Sequence, residues 1–320
     1  MTPITRLMQG AALAVLMTGA AAAQDFPERA VTLVIPFAAG GSTDVVGRIV
    51  AEKMSAQLGQ QVVVQNVGGA GGSLGAGQVA RAEPDGYTIL MGTVATHALN
   101  PLILTQKPYD PVADFAPVSL LVLVPNVLAV NPELGVDTVQ ELIDLAKSEP
   151  LAYASSGNGT PLHLSGELFK SMAGIDLTHI PYQGSGPALT DVLGNQVPII
   201  FDNLPSASSH IAAGSLKALG VTTTERAASF PDVPTIAETL PGYETYTWNA
   251  LFAPAGTPPE VVAALNEAAT AAMADPDVQA RMTEFSATIV ASTPEDLAAH
   301  VQAEMEKWAP VVTDAQVRMD

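Results

Sequence analysis

The order of apolar and glycine-rich segments is the feature that most restricts how this chain can fold. Residues 31–36 (VTLVIP) form a continuous apolar run, as expected for a strand that is buried on both faces. A glycine-rich loop follows, and then apolar residues recur at helical spacing from 46 to 58. The same order returns around residues 61–65 and 87–91, which we predict to be the next two strands. Strands that alternate with helices predict a doubly wound, mainly parallel sheet.

The pattern starts again beyond residue 137 and predicts a second α/β unit. Its predicted strands lie at residues 151–155, 178–181, 197–201 and 217–221. Two extended segments, 124–132 and 247–254, are expected to cross between the units and to form a hinge. The fold class is therefore α/β with two lobes, each a mainly parallel sheet with flanking helices. We expect the first lobe to comprise residues 24–126 plus 250–320 and the second lobe residues 127–249.

The first 23 residues predict export. Arg6 precedes an apolar stretch at 8–17, and small residues at 20–23 complete a secretory signal peptide. The stretch is shorter than the roughly 20 apolar residues that a membrane-spanning helix needs. We expect cleavage after Ala23 and a soluble product, which in a bacterium with two membranes would be periplasmic.

Composition excludes several classes of function. Asp and Glu number 32 against 13 Lys and Arg, so the formal net charge is −19. Nucleic-acid binders need a basic surface, so we expect no nucleic-acid partner. The chain contains no cysteine, which rules out disulfides, thiol catalysis and cysteine-based metal sites. Its histidines are scattered without metal-ligand spacing, so we expect neither a metal nor a cofactor.

Four strand-to-helix loops carry the chemistry that we expect of this chain. They lie at residues 36–44, 66–73, 155–160 and 182–187. Glycine in such loops lets backbone approach a ligand, and the free N–H groups at a helix start favour an anion. None of the four loops contains Lys or Arg. A small anion enclosed between the lobes would therefore be held by backbone N–H groups, hydroxyls and helix ends.

An enzymatic alternative competes with this interpretation. Residues 71–75 (GGSLG) match the nucleophile elbow of α/β hydrolases, with Ser73 as the nucleophile. An elbow turns directly off its strand, however, whereas residues 66–72 intervene here. No histidine lies in a sequence setting that marks it as the base. We therefore expect a binding protein rather than an enzyme, with an exported hydrolase as the alternative.

Five motifs together resemble one known family over residues 25–320. They are residues 36–44 (PFAAGGSTD), 66–72 (NVGGAGG), 84–87 (PDGY), 179–188 (HIPYQGSGPA) with Phe201-Asp202, and 230–235 (FPDVPT). The chain is similar to the Bug-type receptors, the substrate-binding proteins of tripartite tricarboxylate transporters. The resemblance implies a two-lobed periplasmic binding protein fold, type II-like, that closes on its ligand.

The resemblance also implies a ligand and partners. Ligands of the family are small carboxylates, namely di- and tricarboxylates, acidic amino acids and aromatic acids. The expected partners are a large and a small integral membrane subunit, and we expect the receptor to be a monomer. Sensing instead of uptake would use the same fold.

The candidate ligand-binding residues follow from the loops and from the resemblance. Loop residues of both lobes would hold a ligand carboxylate, and Tyr182, Gly184 and Asp202 would lie at the end that decides specificity. The first-lobe candidates are Phe37, Ala39, Gly40, Gly41, Ser42, Asp44, Gly69 and Thr93. The second-lobe candidates are Ser156, Gly157, Thr160, His163, Tyr182, Gly184 and Asp202.

Overall fold

Ten strands and ten α-helices make up the part of the chain that the structure, a computed structural model, describes, which is residues 26–314. The predicted signal peptide and its cleavage site lie outside these residues. The strands are β1 (Val31–Ile35), β2 (Val62–Asn66), β3 (Thr88–Thr93), β4 (Phe115–Val130), β5 (Ala152–Ser155), β6 (Thr178–Pro181), β7 (Ile199–Asn203), β8 (Lys217–Val221), β9 (Tyr246–Pro254) and β10 (Thr288–Ile289).

Helices lie between most of the strands, as the α/β pattern predicts. They are α1 (Ser42–Leu58), α2 (Ser73–Ala80), α3 (Asn100–Ile103), α4 (Val139–Ala146), α5 (Pro161–Ala173), α6 (Ser185–Leu193), α7 (Leu204–Ala212), α8 (Pro259–Ala274), α9 (Pro276–Glu284) and α10 (Pro294–Asp314). A π-helical turn at Ala95–Leu99 precedes α3. Within residues 26–314, none of the helices has both the length and the hydropathy required to cross a membrane.

The strands form two mixed sheets that have β4 in common. In the first sheet the order is β2-β1-β3-β9-β4, with β10 on β4, and β1 runs parallel to β2 and β3. In the second sheet β8 and β7 flank the end of β4, and β5 lies parallel between β7 and β6. The expected α/β class is confirmed, and the parallel strands are those that the alternating pattern predicts.

The two predicted crossovers are both strands, and their direction was not foreseen. Strand β4 runs 16 residues without a break, and β9 pairs antiparallel with both β3 and β4. A chain that returns from one sheet to the other enters it in the reverse direction, so each crossover strand pairs antiparallel with its neighbours. The β4–β9 register shifts next to Pro117, where the missing N–H interrupts the ladder.

Apolar residues cover both faces of each sheet. On the first sheet, α1 and α8 pack on one face around Met54, Val122 and Leu265, and α10 packs on the other around Trp248. The second sheet has its own two clusters, centred on Phe201 and on buried alanine and valine side chains. Four layers of helix therefore enclose two sheets, which leaves the strand ends free to carry loops.

A buried carboxylate connects the last helix to the crossover strand β9. Glu304 of α10 is 4% exposed and accepts hydrogen bonds from Tyr246 Oη (2.9 Å) and Trp248 Nε1 (3.1 Å). Trp308 Nε1 donates to the same carboxylate at 3.3 Å. Trp248, which lies on the predicted crossover 247–254, is therefore a core residue.

We predict that Glu304→Ala lowers the free energy of unfolding by about 2–4 kcal/mol, since it leaves buried ring donors without an acceptor. Glu306→Ala, two residues along the same helix on an exposed position, is the matched control and is expected to stay within about 0.5 kcal/mol of the unchanged protein. Urea denaturation of both variants measures the difference. Equal stabilities would show that the Glu304 hydrogen bonds do not stabilise the fold.

Candidate functional site

Loops from the two sheets meet around one cavity. They follow β1 and β3 of the first sheet and β5, β6 and β7 of the second, and β9 supplies part of the wall. With the loops in contact, the cavity volume is about 20 Å³, which is room for a single water molecule. The lining residues are Phe37, Gly41, Ser42, Thr43, Thr93, Ser156, Thr160, Pro161, Leu162, Ser185, Asn203 and Thr247.

Four helix N-termini converge on this cavity. Helices α1, α5, α6 and α7 begin at Ser42, Pro161, Ser185 and Leu204, and their first residues or N-caps line the space. In α1, α6 and α7 no side chain caps the first N–H groups. Unsatisfied N–H groups and aligned peptide dipoles give each of these ends a partial positive charge. The arrangement is therefore suited to an anion.

The side chains that line the cavity carry no formal charge. They are hydroxyls, one amide and the apolar groups of Phe37, Pro161 and Leu162. An anion bound here would meet N–H and O–H donors in place of Lys or Arg. This agrees with the prediction from the loop sequences that an anion site is built without a cation.

Direct contacts between the loops close the cavity. The N–H of Ala38 donates to the carbonyl of Gln183 at 3.0 Å, and Ser42 Oγ donates to Asn203 Oδ1 at 2.8 Å. Gly186 lies so close to the carbonyl of Ala39 that a Cβ atom at residue 186 would overlap it. The backbone of the first loop is thus packed against the start of α6, and only glycine fits at that point.

A second pocket continues from the cavity past Phe37 and Ser156, which line both spaces. It has a volume of about 210 Å³ and is formed by the loop after β2 and the loops after β5 and β6. Gly69, Gly157 and Tyr182 lie along it, as candidate residues from the second, third and fourth loops. The hydroxyl of Tyr182 donates to Asp191 at 2.7 Å, so the polar end of this side chain is already paired.

Asp44, a predicted ligand-binding residue, braces the first loop from outside the cavity lining. Its carboxylate accepts from the N–H of Gly40 (3.0 Å), from Arg48 Nε (3.0 Å) and from Asn66 Nδ2 (2.9 Å). Burial alone would raise the pKa of this carboxyl, but the hydrogen bonds from Arg48, Gly40 and Asn66 together lower it. The structure therefore gives Asp44 a loop-positioning contact.

Asp202 is fully buried and lies behind Ser185, which lines the cavity. Its carboxyl accepts hydrogen bonds from the hydroxyls of Ser185 and Ser206, the latter at 2.7 Å. Burial outweighs these hydrogen bonds and raises the pKa of Asp202 to about 6. Asp202 thus orients a hydroxyl of the site and does not itself line the cavity.

His163 supports the loop after β5 from its outer side. Its Nδ1 accepts from the N–H of Gly159 at 3.1 Å, and its ring stacks on His179 with 4.0 Å between centroids. Nε2 of His179 in turn lies 2.6 Å from the hydroxyl of Ser155. Burial lowers the pKa of His163 to about 4 and that of His179 to about 3. Both rings are therefore neutral near neutral pH.

The fifteen candidate residues fall into two groups by position. Those that line the central cavity or the second pocket are Phe37, Gly41, Ser42, Gly69, Thr93, Ser156, Gly157, Thr160 and Tyr182. Those that pack behind or between the loops are Ala39, Gly40, Asp44, His163, Gly184 and Asp202. The carboxylate and imidazole candidates are all in the second group, because a buried carboxylate or imidazole needs protein partners that the cavity does not offer.

Sequence reasoning missed several residues of the lining. They are Thr43, Pro161, Leu162, Ser185, Asn203 and Thr247. Ser185 lies in the fourth glycine-rich loop, so that loop was the available signal. Asn203 and Thr247 lie on segments whose roles as helix cap and cavity wall have no sequence signature.

The contacts of Ser73 do not support the hydrolase alternative. Ser73 is 3% exposed, and its hydroxyl accepts a hydrogen bond from Asn100 Nδ2 at 2.7 Å. His97, the histidine nearest to Ser73 in the sequence, is hydrogen-bonded to Thr96 and not to Ser73. Ser73 also lies outside the central cavity. In addition, residues 26–314 contain no group of three or more His, Asp or Glu side chains arranged to hold a metal ion.

The stacked histidines predict a pH dependence of stability. Their pKa values lie below the unfolded value of about 6.5, so the unfolded chain takes up protons first as the pH falls. The free energy of unfolding should therefore decrease between about pH 6.5 and pH 4, by about 1.4 kcal/mol per pH unit for each histidine. The buried ring of His97, whose pKa is lowered to about 3, adds to this decrease, and the raised pKa of Asp202 opposes it between its unfolded value of 3.8 and about 6, so three groups act against one.

Replacement of one ring isolates this effect. His179→Gln keeps a hydrogen-bonding side chain beside Ser155 but removes one titratable group, so the slope of unfolding free energy against pH should fall to about half. Denaturant titrations at pH 4.5, 5.5 and 6.5 measure it. An unchanged slope in the variant would contradict the neutral, buried state of His179.

Known structures share this fold over nearly its whole length. The periplasmic binding protein BugD has a TM-score of 0.89 and 37% identity over 92% of this chain and 100% of BugD. A protein of R. palustris solved with adipate has a TM-score of 0.88 and 39% identity, over 92% of this chain and 99% of its own. MatC from Rhodopseudomonas palustris, solved with bound malate, has a TM-score of 0.86 and 36% identity, over 90% and 100%. These neighbours confirm the predicted periplasmic binding protein fold.

Sequence comparison leads to the same group. Protein BugT of Bordetella pertussis (strain Tohama I) is 36% identical over 323 residues, which cover 99% of each chain. Residues 46–317 match the family described as the tripartite tricarboxylate transporter family receptor. The family and these neighbours are binding proteins, and the motif resemblance is confirmed. The chain belongs to the receptor family of the tripartite tricarboxylate transporters.

Proposed function

We propose that this protein captures a small carboxylate in the cavity between its two sheets and delivers it to a tripartite tricarboxylate-type membrane transporter. The observation that carries the proposal is the convergence of four helix N-termini on a cavity lined by uncharged side chains. Such an arrangement stabilises negative charge, and the lining contains no carboxylate that could pair with a cation. The solved relatives with adipate and malate support a carboxylate ligand.

A carboxylate needs several donors at once when it leaves water. Burial of an isolated ionised carboxylate is strongly unfavourable unless its oxygens are hydrogen-bonded. The first turns of α1, α6 and α7 and the hydroxyl of Ser156 supply donors from both sheets. The ligand class comprises di- and tricarboxylates, acidic amino acids and aromatic acids. The second pocket beyond Phe37 gives a longer ligand room to extend.

The remaining parts of the proposal concern location, partners and movement. A signal peptide cleaved near Ala23 would place the receptor in the periplasm, where it meets a large and a small membrane subunit as a monomer. The lobes would comprise residues 24–126 plus 250–320 and residues 127–249, and they would move about β4 and β9. Ligand that touches both lobes would stabilise the closed arrangement.

We also propose that the protein catalyses no reaction. Catalysis by a nucleophile requires a base within hydrogen-bond reach. The central cavity has hydroxyls along its lining but no histidine or carboxylate. Ser42 and Ser185 instead donate to Asn203 and Asp202, which hold their hydroxyl groups in place.

A thermal-shift screen tests the proposal. The mature chain is to be scanned with dicarboxylates, tricarboxylates, acidic amino acids and aromatic acids, alongside sugars and polyamines as other ligand classes. A ligand at 100 times its Kd adds about 2.7 kcal/mol of stability, which raises the Tm measurably. Stabilisation by a sugar or a polyamine, with none by any carboxylate, would overturn the proposed ligand class.

The contact between Gly186 and Ala39 gives a test of closure. Gly186→Ala should weaken binding of the carboxylate found in the screen at least about tenfold, or about 1.4 kcal/mol, because the added methyl group separates the loops. Gly194→Ala at the end of the same helix is the control, since its Cβ would meet its nearest atom at an ordinary 3.4 Å. Titration calorimetry measures both affinities. Equal affinities would show that the loops need not approach this closely for binding.

A further inference from the structure

Two threonine hydroxyls in the wall of the central cavity have no hydrogen-bond partner among residues 26–314. Thr93 ends β3 and Thr247 is the second residue of β9, and both side chains line the cavity. They are 2% and 3% exposed, and their Oγ1 atoms are buried and unpaired. A buried hydroxyl without a partner is unfavourable, so native structures nearly always supply one. The position of this pair indicates that the partner comes from within the cavity.

The two hydroxyls form one polar surface. Thr93 lies opposite Asn249 in the antiparallel β3–β9 pair, and Thr247 is two residues from Asn249 on the same strand. Side chains that alternate along a strand return to the same face every second residue, so Thr93 and Thr247 are diagonal neighbours on the face that lines the cavity. We call this pair the threonine wall.

The threonine wall offers hydrogen bonds but no positive charge. The backbone N–H and carbonyl of Thr93 are both engaged by the hydroxyl of Thr96, so only side-chain hydroxyls remain. The converging helix N-termini belong to the loops and not to this wall. A second carboxylate against the wall would be buried without a compensating charge, and an ammonium group would find no carboxylate in the lining. A neutral hydrogen-bonding group has neither penalty.

We propose that the ligand is a hydroxy- or oxo-carboxylate, which places its hydroxyl or carbonyl oxygen against Thr93 and Thr247. This inference rests on the proposed carboxylate-receptor function and narrows its substrate class. The carboxylate lies at the helix N-termini and the neutral oxygen at the threonine wall, since both border the same cavity. Threonine hydroxyls both donate and accept, so the wall accommodates either a hydroxyl or a carbonyl oxygen.

Matched ligand pairs that differ by one oxygen test the inference. Calorimetric titrations compare malate with succinate, lactate with propionate, and 3-hydroxybutyrate with butyrate. In every pair that binds, the hydroxylated member should bind about tenfold more tightly. Thr247→Val keeps the side-chain shape but removes the hydroxyl, and it should bring the two affinities within about twofold of each other. Thr247→Ser restores the hydroxyl and should restore the preference.

A control and three outcomes separate this inference from the proposed function. Thr270→Val, on an exposed position of α8, should keep the wild-type preference, which shows that loss of any threonine hydroxyl is not enough. Binding of the unsubstituted member as tightly as its partner would overturn the inference and leave the carboxylate receptor intact. A preference that persists in both Thr93→Val and Thr247→Val would also overturn it. Failure of every carboxylate to bind would overturn the proposed function itself.

Discussion

Strand β4 is the constraint on which the rest of this structure depends. Its first part pairs with β9 in the first sheet, and its last five residues pair with β7 and β8 in the second. Because one unbroken strand belongs to both sheets, the loops at the carboxyl ends of β1 and β5 are brought together and not left on separate surfaces. Every element of the candidate site, including the convergence of the four helices, follows from that shared strand.

The net negative charge of the protein contrasts with a cavity that is suited to an anion. The overall electrostatic field of a chain with a formal net charge of −19 repels an anion. Its cavity, however, is built from positive helix ends and neutral donors. A helix N-terminus contributes up to about 2 kcal/mol where it is partly buried, so four contribute several kcal/mol. That is of the same order as the several kcal/mol lost when an ion is desolvated. Binding can therefore be selective and still reversible.

Much of the fold could be predicted because its signals are local. The apolar run before Pro36 and the glycine-rich loops identify parallel strands and the edge where a ligand binds. Helix α7 was not predicted because it is short and rich in serine, so the helical spacing of Leu204, Ala207 and Ile211 is a weak signal. Its N-terminus matters only through tertiary contact. The ionisable candidates show the same limit. Asp44 and Asp202 lie at strand and helix ends, as sequence reasoning expected, but only three-dimensional contacts reveal that protein donors already occupy their carboxylates.

The contacts that join the two sets of loops are few and uncharged. Besides the Ala38–Gln183 and Ser42–Asn203 hydrogen bonds, the backbone N–H and the hydroxyl of Ser229 are hydrogen-bonded to the hydroxyl of Ser286, at 2.9 and 2.8 Å. A neutral hydrogen bond contributes about 1 kcal/mol net, so these contacts together stabilise the joined arrangement by only a few kcal/mol. A ligand that bridges both loop sets adds a term of similar size, and that is enough to shift a two-state equilibrium by a factor of 100 or more. Because the direct contacts are weak, ligand binding determines whether the open or the closed form predominates.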